Sequence, residues 1–308
     1  MQKKYLYIVS IVLITVAVVV LGVRSKKSAS VSPEGTIAVS TSFYPLYYFA
    51  DRIGGEMAHV VNITPAGSEP HDFEPTPKDI VRIEQSALLV LQGAHLETWG
   101  ADIQKNIDTH RTKVVIAGED LMTQNVVEDG ESVIDPHTWL SPKLAIAMAD
   151  KILSGFIAAD PLHTEVYVAN ATKLKTDLAT LDAEYTRGLA QCSSRNIVTS
   201  HAAFGYLASA YGLNQVAISG VSPEAEPSPK DLASVAEFVK KNGVKYIFFE
   251  SLISPKLSET IARETGAQTL VLDPIEGIIP EDRAKGVDYM AVMRSNLSNL
   301  ETALECTR

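Results

Sequence analysis

The sequence predicts an α/β protein of two lobes, each a mainly parallel sheet with flanking helices, joined by a long backbone helix. Three observations carry that prediction. Short apolar runs alternate with amphipathic stretches, the same rhythm returns in the second half of the chain, and a stripe of leucines at helical spacing separates the two halves.

In residues 37–158, the expected first lobe, the apolar runs are "TIAVST", "HVVNIT", "ALLVLQ" and "KVVIA", each followed by polar or amphipathic sequence, which is the pattern of βα units around a parallel sheet. In residues 193–308, the expected second lobe, "RNIVTS", "QVAIS", "KYIFFES" and "TLVLD" repeat it. Residues 159–192 read as the connector: Asp160 as a cap, Pro161 in the first turn, and Leu174, Leu178, Leu181, Tyr185 and Leu189 on one face. A helix of about thirty residues spans roughly 45 Å, enough to run along both lobes.

A short internal repeat supports a duplicated architecture. "EPTPKDI" begins at Glu74 and "EPSPKDL" at Glu226, 152 residues later. In both, Thr76 or Ser228 can cap a helix and Pro77 or Pro229 fills its first position, where a missing N–H costs nothing. Ser141-Pro142-Lys143 and Ser254-Pro255-Lys256 repeat the device. The prolines are thereby explained as helix starts, but His71, just before the first copy, is not, because the second copy has Pro223 at its place.

Three of the seven histidines fall in predicted loops: His71 in "EPHDFEP", His137 in "DPHTWLSP" and His201 in "TSHAAFGY". Each alone reads as an ordinary loop residue. Together they matter, because loops at the carboxyl ends of parallel strands share one edge, where residues distant in sequence converge. Asp273, in "LVLDPIEG", follows an apolar strand in the same way. Three imidazoles and a carboxylate suit tetrahedral Zn²⁺, whereas Mn²⁺, still possible, prefers more oxygen. His71 and His137 would come from the first lobe and His201 and Asp273 from the second, so the ion would bridge a cleft. Glu69, Asp72, Glu74 and Glu250 are rival carboxylates or acceptors for imidazole N–H groups. His59, His95, His110 and His163 read as structural or exposed. Trp99, Trp139, Phe43, Tyr44, Phe73, Phe204 and Tyr206 lie near the candidate loops, as shields for an ion or as ordinary core.

The first thirty residues differ from the rest: Lys3 and Lys4 precede an uncharged run from Tyr5 to Val23, closed by Arg24, Lys26 and Lys27. Residues 1–30 read as an export signal or, preferably, an uncleaved membrane anchor, and residues 31–36 as a tether. Without the five basic residues of that segment, 22 Lys and Arg face 37 Asp and Glu. Such an acidic chain repels phosphate backbones, which argues against nucleic acid as a partner. Cys192 and Cys306 are too far apart for a CxxC metal site; outside the cytoplasm they can pair, and such a long loop closure would stabilise by about 3 to 5 kcal/mol.

Taken in order, "SFYPLYYFADRIGG", "PAGSEPHDFEPTPKDI", "DPHTWLSP", "TSHAAFGYLA", "SPEAEPSPKDL", "FFESLISPKL" and "LDPIEG" resemble the zinc- and manganese-type solute-binding proteins of bacterial ABC importers. The resemblance covers nearly all of the chain beyond the first thirty residues. It implies two α/β lobes on a backbone helix, a buried metal between them, a monomer outside the cytoplasm, and delivery to a membrane ABC permease. Position by position it places ligands at His71, His137, His201 and Asp273. The third position is usually acidic in manganese-type relatives, so His201 points to zinc. Two features depart from the pattern: "TQNVVEDGESVID" has acids but no histidine where many zinc-type members carry a histidine-rich loop, and no Cys follows the apolar run to accept a lipid. The competing readings are a manganese or iron receptor of the same family, a surface adhesin, and a zinc hydrolase. The hydrolase has only the ligand count behind it, since neither HExxH nor a GxSxG elbow is present.

Overall fold

Strands of nearly continuous apolar sequence are stable only where both sheet faces are covered, and the chain builds two such sheets. The computed structural model describes residues 35–93, 96–128 and 130–307. The expected anchor, residues 31–34 of the tether, and His95 lie outside them. Among the described residues no helix is long and apolar enough to cross a membrane.

The first half runs β1 (Ile37–Thr41), α1 (Tyr44–Gly54), β2 (Ala58–Asn62), α2 (Pro77–Gln85), β3 (Leu88–Leu91), α3 (Gly100–Asn106) and β4 (Lys113–Ile116). A hairpin, β5 (Asn125–Glu128) and β6 (Glu131–Ile134), precedes α4 (Pro142–Ala159). After α5 (Thr164–Gly188) come β7 (Asn196–Thr199), α6 (Gly205–Tyr211), β8 (Asn214–Ala217), α7 (Pro229–Asn242), β9 (Tyr246–Phe249), α8 (Lys256–Thr265), β10 (Gln268–Val271), α9 (Pro280–Ala284) and α10 (Tyr289–Ala303).

The two four-stranded sheets are parallel throughout and have one topology, β2-β1-β3-β4 and β8-β7-β9-β10. The α/β class and the paired parallel sheets therefore agree with the sequence reading. In each sheet the order reverses between the first and third strands, and loops leaving a reversal point diverge to leave a crevice. In the second half that point lies between β7 and β9, which end just before His201 and Glu250.

In the first half the reversal point is filled by Glu97. Its buried carboxylate accepts from the Ser42 hydroxyl and from the peptide N–H of Gln92 (2.7 Å) and Gly93 (2.9 Å). Gln92 in turn donates to Pro136 O (2.6 Å) and Thr138 Oγ1 (2.9 Å), on either side of His137.

The connector begins later than its sequence suggests. Asp160 caps no helix with its side chain; the carboxylate accepts from Tyr167 Oη (2.7 Å) and pairs with His163 (2.6 Å), and a 3-10 turn over Pro161–His163 precedes α5. Leu174, Leu178, Leu181 and Tyr185 of α5 and Leu189 beyond it are buried as their spacing predicts. They join a core that runs unbroken from Phe49 and Phe156 to Tyr289 and Leu300, so both sheets share one apolar interior. From Thr36 onward the chain is one compact unit. Polar ties reinforce the seam: Trp139 Nε1 donates to Pro274 O (2.7 Å), and Tyr185 Oη to Met293 O (2.7 Å). Cys192 and Cys306 form a disulfide that fastens the end of α10 to the end of the connector across 114 residues.

Both copies of the repeat form full capping boxes, Thr76 with Asp79 and Ser228 with Asp231, each with proline in the first turn. The other two Ser-Pro-Lys starts are weaker versions. Ser141 stands at the cap of α4 without a side-chain bond, and Pro255 is itself the cap of α8.

Candidate metal centre

Each half contributes to one buried cluster. His71 leaves the long loop between β2 and α2, and His137 sits at the end of the segment that leads out of β6. His201 follows β7 directly. The carboxylate that meets them is Glu276, in the loop after β10.

The ligand-capable atoms of His71, His137, His201 and Glu276 all lie within 4.8 Å of one another. Glu276 Oε1 is 3.2 Å from His137 Nε2, 3.4 Å from His71 Nε2 and 3.6 Å from His201 Nε2, and the Nε2 atoms of His137 and His201 are 3.3 Å apart. A tetrahedral ion with bonds of about 2.0–2.1 Å needs ligand–ligand edges of roughly 3.3–3.4 Å. His137 and His201 are fully buried, and Glu276 is 2% exposed. His71 Nε2 and Glu276 Oε1 are buried without a hydrogen-bond partner, the condition expected of atoms shaped for an ion.

Two further carboxylates fix the imidazoles from behind. Asp135 Oδ1 accepts from His137 Nδ1 (2.7 Å) and from the His137 peptide N–H (2.9 Å). Glu250 Oε1 accepts from His201 Nδ1 (2.5 Å) and from the Ser200 hydroxyl. With Nδ1 held by a carboxylate, each Nε2 points into the cluster and can offer its lone pair to an ion once it gives up its proton. Trp139, fully buried, lies under His137 with ring centroids 5.0 Å apart and meets Phe43 edge-on at 4.6 Å.

The electrostatics divide the cluster. Burial works against the imidazolium of His201, but Glu250 and Glu276 outweigh it and hold its pKa well above the ordinary value. Burial likewise opposes the charged form of His137, and Asp135 and Glu276 reverse the effect. At His71 burial prevails and the pKa falls. Burial would raise the Glu276 carboxyl, but the imidazoles of His137, His201 and His71 that face it instead hold its pKa well below the carboxylate range. Burial, and after it the neighbouring Glu276, push the Glu69 carboxyl well above the ordinary carboxylate range.

The three sequence-predicted histidines are therefore brought together, and Asp273 is not among the converging atoms. Its carboxylate faces the backbone instead, accepting from the Ile275 N–H at 2.7 Å. Asn296 pins the peptide of Asp273 from the other side, accepting from its N–H (2.9 Å) and donating to its C=O (2.7 Å). These bonds hold Ile275 at φ +61°, a left-handed conformation that β-branched residues avoid. The turn so made carries Glu276 inward. Glu276 was missed although it lies in "DPIEG", three residues past Asp273, and Asp135 was missed although it opens "DPHTWLSP"; the adjacent acids in those two motifs were the available signal.

The rival carboxylates also sort themselves. Glu250 orients His201, and Glu69 Oε1 accepts from the His71 N–H at 3.3 Å. Asp72 and Glu74 are exposed, the latter accepting from Thr98 Oγ1 at 3.0 Å. His59 and His110 are exposed and His163 pairs with Asp160.

A family profile described as zinc-uptake complex component A, periplasmic, matches residues 39–303, a stretch that contains both sheets but for the first two residues of β1, and the whole cluster. The chain belongs to this family. Among family relatives, the high-affinity zinc uptake system protein ZnuA of Bacillus subtilis is 36% identical over 315 residues, with 99% of each chain covered. The zinc-binding protein AdcA of Streptococcus pyogenes serotype M1 is 37% identical over 320 residues, 97% of this chain but 61% of that protein. The chain thus spans about three-fifths of the length of the streptococcal relatives. The Zn(II)-bound ZnuA-like domain of Streptococcus pneumoniae AdcA superimposes with a TM-score of 0.77 at 39% identity, over 88% of this chain and 100% of that domain. The laminin-binding protein Lmb of Streptococcus agalactiae, described as bifunctional with adhesin and metal-transporting activity, gives 0.79 at 35% identity, over 87% of this chain and 99% of that one.

Proposed function

We propose that this protein is an extracytoplasmic receptor that captures one Zn²⁺ between His71, His137, His201 and Glu276 and delivers it to an ABC importer permease, acting as a monomer. The observation that carries the reading is the convergence of three imidazole nitrogens and one carboxylate oxygen within 4.8 Å of one another in a buried crevice, with the three edges to Glu276 and the His137–His201 edge at 3.2 to 3.6 Å, near the tetrahedral value. Three nitrogens and one oxygen suit zinc better than manganese. A hydrolytic zinc centre keeps one vertex for water, and here Glu276 occupies it. The names of the relatives and the zinc-bound homologous domain agree with this assignment. Residues 5–23, uncharged and apolar, serve in this reading as a membrane tether, a role that fits the pneumococcal relative named a zinc-binding lipoprotein.

Titration of metal-free protein against a competing chelator tests the reading, with Zn²⁺ and Mn²⁺ in parallel. Binding of one Zn²⁺ per chain and weaker Mn²⁺ binding are expected. Glu276→Ala is expected to abolish tight binding, whereas Asp273→Ala lowers affinity only through the turn it supports. No zinc uptake, or a larger loss in Asp273→Ala than in Glu276→Ala, overturns the assignment as stated.

A further inference from the structure

The segment that carries acids but no histidine is a hairpin, not a loose loop. Its strands pair from Asn125 with Ile134 to Glu128 with Glu131, and Gly130 makes the turn at φ +82°. It has little apolar anchorage, since Val127 is 73% and Ile134 46% exposed. Its grip on the second half is polar. Glu128 Oε1 accepts from the peptide N–H of Val221 (3.1 Å) and Ser222 (3.4 Å).

The contact closes a ring around two of the four metal-facing side chains. On one side β6 runs directly into Asp135, which holds His137, and the Asp135 N–H is tied back to Gln124 O at 3.0 Å. On the other side the gripped loop is bonded to both neighbours of His201: Ser219 N–H to Ser200 O and Ala202 N–H to Gly220 O, each at 2.8 Å. Gly220 is where the Glu128 side chain lies flat. A Cβ there would fall 2.7 Å from Glu128 Cδ and 2.9 Å from Cγ, and closer still to Oε1.

We propose that Glu128 is a positioning residue for metal retention: by gripping the Val221–Ser222 peptide it latches the His137 segment to the His201 segment and slows release of the ion. This rests on the zinc reading above. An ion can enter while the two segments fluctuate, but leaving requires them to part, so the latch acts on dissociation.

The test is the transfer of zinc from the loaded full-length protein to excess chelator, followed by stopped flow. Charge-assisted bonds to peptide N–H groups of this kind predict release about tenfold faster in Glu128→Ala, with the association rate unchanged. Glu128→Gln keeps an acceptor oxygen and should release within about threefold of the parent. Gly220→Ala, which unseats the side chain, should behave like Glu128→Ala. Glu131→Ala, an exposed acid opposite Glu128 that makes no such contact, should leave release unchanged and so controls for charge alone. Unaltered release in Glu128→Ala, or equal acceleration in Glu131→Ala, overturns the latch while zinc binding stands. Failure of the parent protein to take up zinc overturns the receptor reading and the latch together.

Discussion

Residues 69–80 and 221–232 are two uses of one device. Both end in the same capping box and proline, and both start a helix after the second strand of a parallel sheet. At the first, the loop brings in His71, whose side chain is 8% exposed, with Glu69 beside it. At the second, Pro223 stands where His71 would be, and the counterparts of Glu69 and Pro70 are Val221 and Ser222, whose N–H groups Glu128 grips. A helix start is encoded by a few adjacent residues and survives duplication, while the loop before it is free to carry a candidate metal ligand in one copy and the peptide that Glu128 holds in the other.

The two loops should differ most when the side chain at the His71 position is removed. His71→Ala should weaken zinc binding by more than about 100-fold, since even outer residues of metal sites cost 10- to 100-fold. Pro223→Ala should change it by no more than about twofold. Chelator competition on the two variants checks this, and a comparable loss in Pro223→Ala would mean that the second loop also serves the ion.

Next come the residues that aim the histidines. Asp135→Asn and Glu250→Gln should each weaken zinc binding by about 10- to 100-fold, because each frees an imidazole from its fixed tautomer. The same competition assay measures the effect, and an NMR titration of the two imidazoles should show their pKa values falling once the carboxylate is lost.

Acidity should then separate His71 from the other two histidines. Zinc requires neutral imidazoles, so raised pKa values at His137 and His201 make protons compete from above the ordinary histidine range downward. Affinity should fall with decreasing pH by up to about tenfold per unit for each proton displaced. His71, lowered by burial, joins only in stronger acid. In the metal-free protein the sign reverses. The stabilising contribution of His137 and His201 is complete below their unfolded pKa and is lost as pH rises through their raised folded values. That of Glu276, whose folded pKa is depressed, is present above its unfolded pKa and lost as pH falls through the folded value. Calorimetric melting of metal-free and zinc-loaded protein from pH 5 to 9 checks both trends.

The smallest effects concern what the copies share. Thr76→Ala and Ser228→Ala should each cost about 1 kcal/mol, and by similar amounts, because the two boxes are built alike. Denaturant midpoints would show it.

Much of this was legible in advance because it is local or periodic. Apolar runs gave the parallel strands, leucine spacing gave the buried face of α5, and the Pro-Lys-Asp starts gave two helix boundaries to the residue. His71, His137 and His201 could be named together because each stands in a loop beside a strand or helix end. The onset of α5 was misjudged, since Asp160 is claimed by Tyr167 and His163, partners that become neighbours only through packing. The hairpin has no clear signature in the sequence, because its alternation is short and its turn lies in an acidic run.

By itself, then, the sequence determined the α/β rhythm, the duplicated helix starts and the histidines, since each depends on residues a few positions apart or on residue chemistry alone. The tertiary structure decided which carboxylate meets them. Asp273 and Glu276 stand three residues apart on the same loop, and only Asn296, folded back from α10, together with the Asp273 bond to Ile275, holds the left-handed turn that points one acid at the backbone and the other at the crevice. It also decided the role of Glu128, whose partners lie more than ninety residues away. Neither choice has a local signature, because both depend on hydrogen bonds that exist only after distant segments have packed.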